Sequence, residues 1–246
     1  MAAVRPVIVL PTYNERENIA ALLAAVRDVS VEIDVLVVDD NSPDGTAELA
    51  RQTGSELGGV SVFERPDKHG LGSAYRDGFD RVLAEGYDVV VSMDADLSHD
   101  PAVIPRMLEL LDGGADAVIG SRYVPGGGTT DWPVRRQLLS KWGNTYTRAV
   151  LALPTRDCTS GFRAYRGTAL AAIEPGSTAA EGYAFLTELV RRLNRQGYVI
   201  AETPIIFRDR TLGKSKMSGR IIVESMLLVT RWGIADRLRR LKRLVR

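Results

Sequence analysis

Five short apolar runs constrain this chain more than any other feature: Val7–Leu10, Val35–Val38, Val60–Phe63, Val89–Met93 and Ala117–Gly120. They are rich in β-branched residues, and Val35–Val38 has no polar alternation at all. Such a run suits a strand covered on both faces, as in a parallel sheet flanked by helices. Between the runs lie segments with helical spacing. Ile19, Leu22, Leu23 and Val26 repeat at that spacing behind Asn14 and Glu17, which stand at a capping-box distance. Residues 70–83 and 101–111 are two more helical segments, the second with Asp100 as its expected cap. Strand and helix alternate, which predicts a doubly wound α/β sheet. In such sheets ligands bind beyond the carboxyl ends of the strands. Acidic residues stand there twice, Asp39 and Asp40 after Val38, and Asp94 and Asp96 after Met93.

The second half is less regular. It carries a glycine-rich loop over 126–128, an amphipathic stretch from Pro133 to Leu151 and a helical segment around 183–195. A strand-like run over 199–207 then leads into a polar segment over 208–216, and the chain ends in a helix-like segment over 220–246. At 246 residues and 45% hydrophobic content, the chain has material for one large α/β domain with a C-terminal appendage. A net charge of +1 argues against a general nucleic-acid binder, whose surface is basic throughout. The lone cysteine, Cys158, excludes an internal disulfide and a cysteine-based zinc cluster, and reads as a buried spectator thiol. The N-terminus enters a strand almost at once, leaving no room for a cleavable signal, so catalysis is expected in the cytoplasm. The best candidate for a membrane span, Ile221–Thr230, is short, interrupted by Glu224 and stopped by Arg231.

Two aspartates one residue apart at the end of a buried strand are costly without a compensating cation. Magnesium or manganese supplies one, because it takes oxygen ligands and completes its shell with water and phosphate oxygens. Asp-x-Asp arises often by chance, and its place after a strand is what gives it weight. His99 reads as a solvent-facing or capping residue more readily than as a ligand. Glu15 and Asp40 stand where a base or ribose would lie. No Gly-x-Gly-x-x-Gly follows the first strand and no phosphate loop of the Gly-x-x-x-x-Gly-Lys type occurs, which disfavours nicotinamide and triphosphate sites.

Four segments, in order, resemble one known family. Pro11-Thr12-Tyr13-Asn14-Glu15-Arg16-Glu17-Asn18, Val38-Asp39-Asp40-Asn41-Ser42-Pro43-Asp44-Gly45-Thr46, Met93-Asp94-Ala95-Asp96-Leu97-Ser98-His99 and Gly120-Ser121-Arg122-Tyr123 are similar to the inverting glycosyltransferases of family 2, specifically dolichol- or polyprenol-phosphate mannose synthases. Arg208-Asp209-Arg210, Gly213 and Ser215-Lys216 extend the likeness. The resemblance implies a GT-A catalytic domain over residues 1–219, GDP-mannose as donor, polyprenyl phosphate as acceptor and Mg2+ or Mn2+ as cofactor. It implies that Pro11, Tyr13, Glu15, Val38 and Asp40 hold guanosine, and that Asp94, Ala95 and Asp96 hold diphosphate and metal. Arg122, Arg210 and Lys216 would line the phosphate region. Some members carry glutamine where this chain has Ser98, and a hydroxyl is a weaker metal ligand than an amide carbonyl. Some also carry transmembrane helices after the catalytic domain, so this chain is similar to the soluble type, which needs help to reach its lipid.

Chemistry sharpens these expectations. A phosphate monoester, with a second pKa near 6, is largely ionised at neutral pH, so transfer to it needs no dedicated general base. Catalysis then rests on aligning two anions and stabilising the departing diphosphate, a task for Asp96, Arg122, Arg210 and Lys216. Arg135 or Arg136 with Ser140 would cradle the acceptor phosphate. From Arg231 onward the tail holds seven Lys or Arg residues against Asp236, and Ile234, Leu238, Leu241 and Val245 form an apolar stripe. That pattern suits a helix lying on an anionic membrane surface, at roughly 1 kcal/mol per basic residue, or one docking on an integral membrane partner. Ile221, Ile222, Leu228, Val229 and Trp232 could reach the headgroups or a partner helix. Three competing readings are the same chemistry with UDP-glucose, a nucleotidyltransferase, which would show a basic triphosphate loop near the N-terminus where this chain has Pro11–Asn18, and a non-catalytic nucleotide-binding scaffold.

Overall fold

The computed structural model describes residues 4–30, 32–178, 180, 182–209 and 219–244. The expected alternation is present: β1 Pro6–Thr12, α1 Arg16–Val29, β2 Asp34–Asp39, α2 Thr46–Leu57, β3 Val60–Glu64, α3 Leu71–Ala84 and β4 Val89–Ser92. A 3-10 turn, Pro101–Val103, leads into α4 Ile104–Asp112, and β5 Ala117–Ser121 follows. Asp100 caps that turn by accepting the Ala102 N–H at 3.0 Å. The capping box at Asn14 and Glu17 does not form. Helix α1 starts after Glu15, and Asn14 takes a left-handed φ of 58° while its N–H goes to Ser42 Oγ.

The second half supplies β6 Gly128–Thr130, α5 Val134–Leu151, β7 Arg163–Arg166, α6 Gly167–Ala172, α7 Gly182–Gln196, β8 Ile200–Pro204, β9 Ile206–Arg208 and α8 Gly219–Leu244. The run over 199–207 is therefore two strands in two different sheets. The main sheet has the order β3-β2-β1-β4-β7-β5-β8, and β6 pairs with β9 in a small second sheet. All pairings in the main sheet are parallel except those of β7, which lies antiparallel between β4 and β5.

Four of the five apolar runs bury both faces, while β3, at the sheet edge, is half-exposed. Ile8, Leu10, Val35 and Val37 pack with Ile19, Leu22, Leu23 and Val26 of α1 and with Ile104 and Met107 of α4. Val7, Val9, Leu36 and Val38 pack on the other face with Tyr75, Phe79 and Val82 of α3 and Phe185 and Leu189 of α7. Helix α3 comes close because residue 78 is glycine: a Cβ there would stand 2.6 Å from Val9 Cγ1 and 3.0 Å from Val38 Cγ2. Helices α5 and α8 run side by side in the same direction. Tyr146 bonds Thr230 at 2.6 Å, and one turn on, Gly233 meets Val150 so closely that a Cβ would lie 2.5 Å from Val150 Cγ1. Asp236 ties α8 to α7 through two 2.7 Å bonds from Arg191. Among the described residues no helix is long and apolar enough to cross a membrane.

Candidate active site

The loops after β1, β2 and β4 meet at one end of the sheet, and each contains a left-handed residue: Asn14, Asn41 and Leu97, at φ 58°, 60° and 61°. Asparagine tolerates this conformation; for leucine it costs roughly 1–2 kcal/mol. Strain of that kind concentrates at functional sites, where the surroundings hold it in place.

The two neighbouring aspartates after β2 have separate jobs. Asp39 is fully buried and knits β1 to β2, accepting from Thr12 Oγ1 at 2.7 Å and from Ser42 N and Oγ at 2.8 and 2.7 Å. Asp40, 4% exposed, accepts the N–H groups of His69 and Gly70 at 3.0 and 2.8 Å and pairs with buried Arg65. Arg65 is in turn held by Asp77 at 2.8 Å. Asp40 is thereby fixed at the rim of a cavity that Pro11, Tyr13 and Glu15 also line. The Lys68 ammonium lies 3.4 Å from the centre of the Tyr13 ring. The Val38 side chain points into the core, so any contact it makes with a ligand goes through its backbone.

Asp94 and Asp96 follow β4 and buried Met93. Asp96 is 4% exposed, and its Oδ1 accepts both the Ser98 N–H at 3.1 Å and the Ser98 hydroxyl at 2.5 Å. The serine hydroxyl thus orients Asp96. Gly161 closes the other side, since a Cβ on it would stand 3.0 Å from Asp94 Oδ1. His99 is neither solvent-facing nor a cap. It is 2% exposed, stacks on Phe162 with ring centres 5.1 Å apart, and its Nδ1 accepts the Asp94 N–H at 3.3 Å. Burial lowers its pKa, which keeps the ring neutral with its proton on Nε2. Among the described residues no cluster of three or more His, Cys, Asp or Glu side chains is placed to share a metal. The protein offers two carboxylates, and that donor set fits magnesium or manganese, which takes oxygen ligands and keeps several waters.

Arg122, just after β5, is clamped. Its Nε and Nη2 each lie 2.7 Å from an Asp157 oxygen, its own N–H bonds Asp157 at 3.1 Å, and Nη2 reaches Thr159 Oγ1 at 2.8 Å. Burial raises the Asp157 pKa, but the Arg122 charge and the hydrogen bonds outweigh it, and the net shift is downward. Of the two basic residues that open α5, Arg136 lines the cavity and Arg135 is exposed elsewhere. Arg136 pairs with Asp209 at 2.8 Å and lies 4.1 Å from the centre of the Trp132 ring. Ser140 bonds the Tyr123 hydroxyl at 2.7 Å. Arg210 and Lys216 lie outside the described residues.

One cavity of about 370 Å³ joins these groups. It runs from Tyr13 and Asp40 past Asp94, Asp96 and Arg122 to Arg136, and continues among Leu139, Trp142, Met226 and Val229 of α5 and α8. Sequence reasoning missed Asp157, Thr159, Gly161, Trp132 and Phe207 as site residues. The polar run Asp157-Cys158-Thr159-Ser160-Gly161, standing before an apolar residue, was the available signal for the first three.

The profile of the family described as Glycosyl transferase family 2 matches residues 7–173. The chain belongs to that family. The transferase is 46% identical to the polyprenol monophosphomannose synthase of Mycolicibacterium smegmatis over 250 aligned residues, covering 100% of this chain and 94% of that one. It is 48% identical to the undecaprenyl-phosphate mannosyltransferase of Micrococcus luteus over 233 residues, covering 95% and 96% of the two chains. Its fold is GT-A. Among solved structures it is similar to the mannosyltransferase PcManGT from Pyrobaculum calidifontis in complex with GDP-Man and Mn2+. There the TM-score is 0.63 at 17% identity, over 97% of this chain and 65% of that one.

Proposed function

We propose that the transferase moves mannose from GDP-mannose to the phosphate of a polyprenyl phosphate, with inversion and with a divalent metal, giving polyprenyl-phosphate mannose and GDP. The observation that carries this reading is the cavity itself, which is polar and acidic at one end, cationic at its middle and apolar between α5 and α8. Two relatives that match nearly end to end are named for transfer of mannose to a polyprenol phosphate, and a fold-mate holds GDP-mannose with manganese.

In this reading Tyr13, Glu15, Asp40 and the backbone at Pro11 and Val38 hold guanosine. Asp94, Ala95 and Asp96 hold the diphosphate, together with a metal that, when bound, neutralises charge on the leaving group. Ser98 serves by orienting Asp96. Arg122 faces the donor phosphates, joined by Arg210 and Lys216, while Arg136 and Ser140 face the acceptor. Arginine suits these places because its planar fork matches phosphate oxygens. The acceptor phosphate is already ionised, so no side chain need remove its proton.

The lipid must come from a membrane, and an apolar face lies where the cavity opens. Val134, Leu138, Leu139 and Trp142 of α5 and Val223 and Leu227 of α8 are all exposed. On α8, Val223, Leu227, Ile234 and Leu238 fall within an arc of about 60° at 100° per residue. We therefore place the enzyme at the cytoplasmic face of a membrane, lying on this face with the basic tail over anionic headgroups. An integral partner protein would use the same surface.

The test is to incubate the protein with polyprenyl phosphate, manganese and either labelled GDP-mannose or labelled UDP-glucose, and to extract lipid. Label entering the organic phase from GDP-mannose alone is the expected result. Transfer from UDP-glucose alone, or from neither donor, overturns the reading.

A further inference from the structure

Three rings stand in a row across the middle of the cavity. Phe207 is flanked by His99, with ring centres 5.4 Å apart and planes at 76°, and by Trp132, at 5.4 Å and 69°. The Arg122 guanidinium carbon lies 5.6 Å from the centres of both Phe207 and Trp132, and that of Arg136 lies 4.1 Å from Trp132. Trp132 therefore touches the cation assigned to the donor phosphates and the cation assigned to the acceptor. In a transfer between two phosphates, the moving sugar occupies the space between them.

Trp132 is 7% exposed, and its indole Nε1 is buried with no hydrogen-bond partner among the described residues; the same holds for His99 Nε2. A buried donor left unpaired is unfavourable, and native proteins rarely keep one without a ligand or water to meet it. The indole nitrogen is a donor only and does not titrate, so what meets it must be an acceptor. Both cations lie over the ring, whereas the N–H lies in its plane, so it addresses what sits beside the ring. A pyranose offers hydroxyl oxygens to such a donor and C–H faces to the rings.

We propose that Trp132 is a specificity-determining residue whose indole N–H binds one hydroxyl of the transferred sugar, with Phe207 and the His99 Nε2–H completing that wall. This rests on the nucleotide-sugar reading above.

The experiment measures binding without turnover. Wild type and Trp132→Phe are titrated calorimetrically, in magnesium, with GDP, with GDP-mannose and with four GDP-mannose analogues, each lacking the hydroxyl at C2, C3, C4 or C6. The variant is expected to bind GDP as wild type does and GDP-mannose about tenfold more weakly, the size of one neutral hydrogen bond. One deoxy analogue should show the same loss with wild type and no further loss with the variant. In parallel, the Trp132 indole proton of 15N-tryptophan protein, assigned with Trp142→Phe and Trp232→Phe, should move downfield with GDP-mannose and stay in place with GDP. That readout survives even if Trp132→Phe does not fold. Equal loss of GDP and GDP-mannose affinity, additive losses with all four analogues, or an indole shift already complete with GDP would overturn the proposal. Failure of wild type to bind GDP-mannose would instead strike the donor assignment, and the same titrations with UDP-glucose and its deoxy analogues would then decide the role of Trp132.

Discussion

The Asp157 carboxylate engages Arg122 through both of its oxygens, 2.7 Å from Nε and 2.7 Å from Nη2, with both side chains removed from water. Asp157 also accepts the N–H groups of Thr159 and Ser160 at 3.2 and 3.1 Å, so one carboxylate fixes both the arginine and the loop that walls in Asp94. Asp157 touches no reacting atom in the proposed mechanism; it positions one that does.

Asp157→Asn should therefore harm both stability and transfer. Removing one partner of a buried pair costs about 3–5 kcal/mol, and misplacing Arg122 lowers kcat by about 100-fold. The loss is pH-dependent. The native Asp157 pKa is below its unfolded value near 4, so the folded state binds fewer protons. Its contribution is complete above about pH 4 and disappears as pH falls through the native value. Denaturant titrations from pH 7 downward should show a constant gap between wild type and variant above about pH 4 and a narrowing gap below it.

Gly161→Ala separates the site from the fold. The added Cβ would meet the Asp94 carboxylate at 3.0 and 3.3 Å, a side chain that can give way but would carry its ligands with it. Metal and diphosphate affinity should fall about tenfold while stability stays within about 1 kcal/mol. Titration of GDP with and without manganese, alongside a thermal melt, checks both halves.

Cys158 should be inert in the native protein. It is fully buried and its thiol pKa is pushed up to about 11, chiefly by burial, so little thiolate exists at neutral pH. Iodoacetamide at pH 8 should leave it unmodified for hours in the folded protein and label it within minutes in denaturant, as read by intact mass.

The exposed apolar face gives a test that spares the chemistry. Val134→Glu with Leu138→Glu places two carboxylates on a surface where the wild-type residues are 69% and 63% exposed, so the fold should tolerate them. Sedimentation with anionic vesicles should drop at least tenfold, whereas transfer to a short, water-soluble polyprenyl phosphate analogue should stay within a few-fold, because neither residue lines the cavity.

The first half of the fold was legible because four of its five strands are apolar on both faces, and because these runs are short, rich in β-branched residues and alternate with helical segments. Strand β7 was not legible. It reads Arg163-Ala164-Tyr165-Arg166, and arginine suggests surface, yet Arg163 is fully buried and donates to the carbonyls of Ser160, Leu186 and Cys158. Asp94, Asp96 and Asp40 stood out because charge directly after a buried strand needs an explanation. Asp157 did not, because its partner is 35 residues away and only the reversed strand brings them together. His99 was misjudged for a related reason: its shelter is built by Phe162 and Phe207, both distant in sequence.

That reversed strand also shapes how the chain is made. The edge of β4 waits for β7, and β5 joins the sheet only through β7, so residues 117–121 emerge from the ribosome more than 40 residues before the strand that seats them. Until then β4 presents an unpaired apolar edge, the kind of surface that recruits other chains. A nascent chain stalled before Arg163 is thus the species most exposed to aggregation, and a holdase that protects it would act in the interval between the two strands.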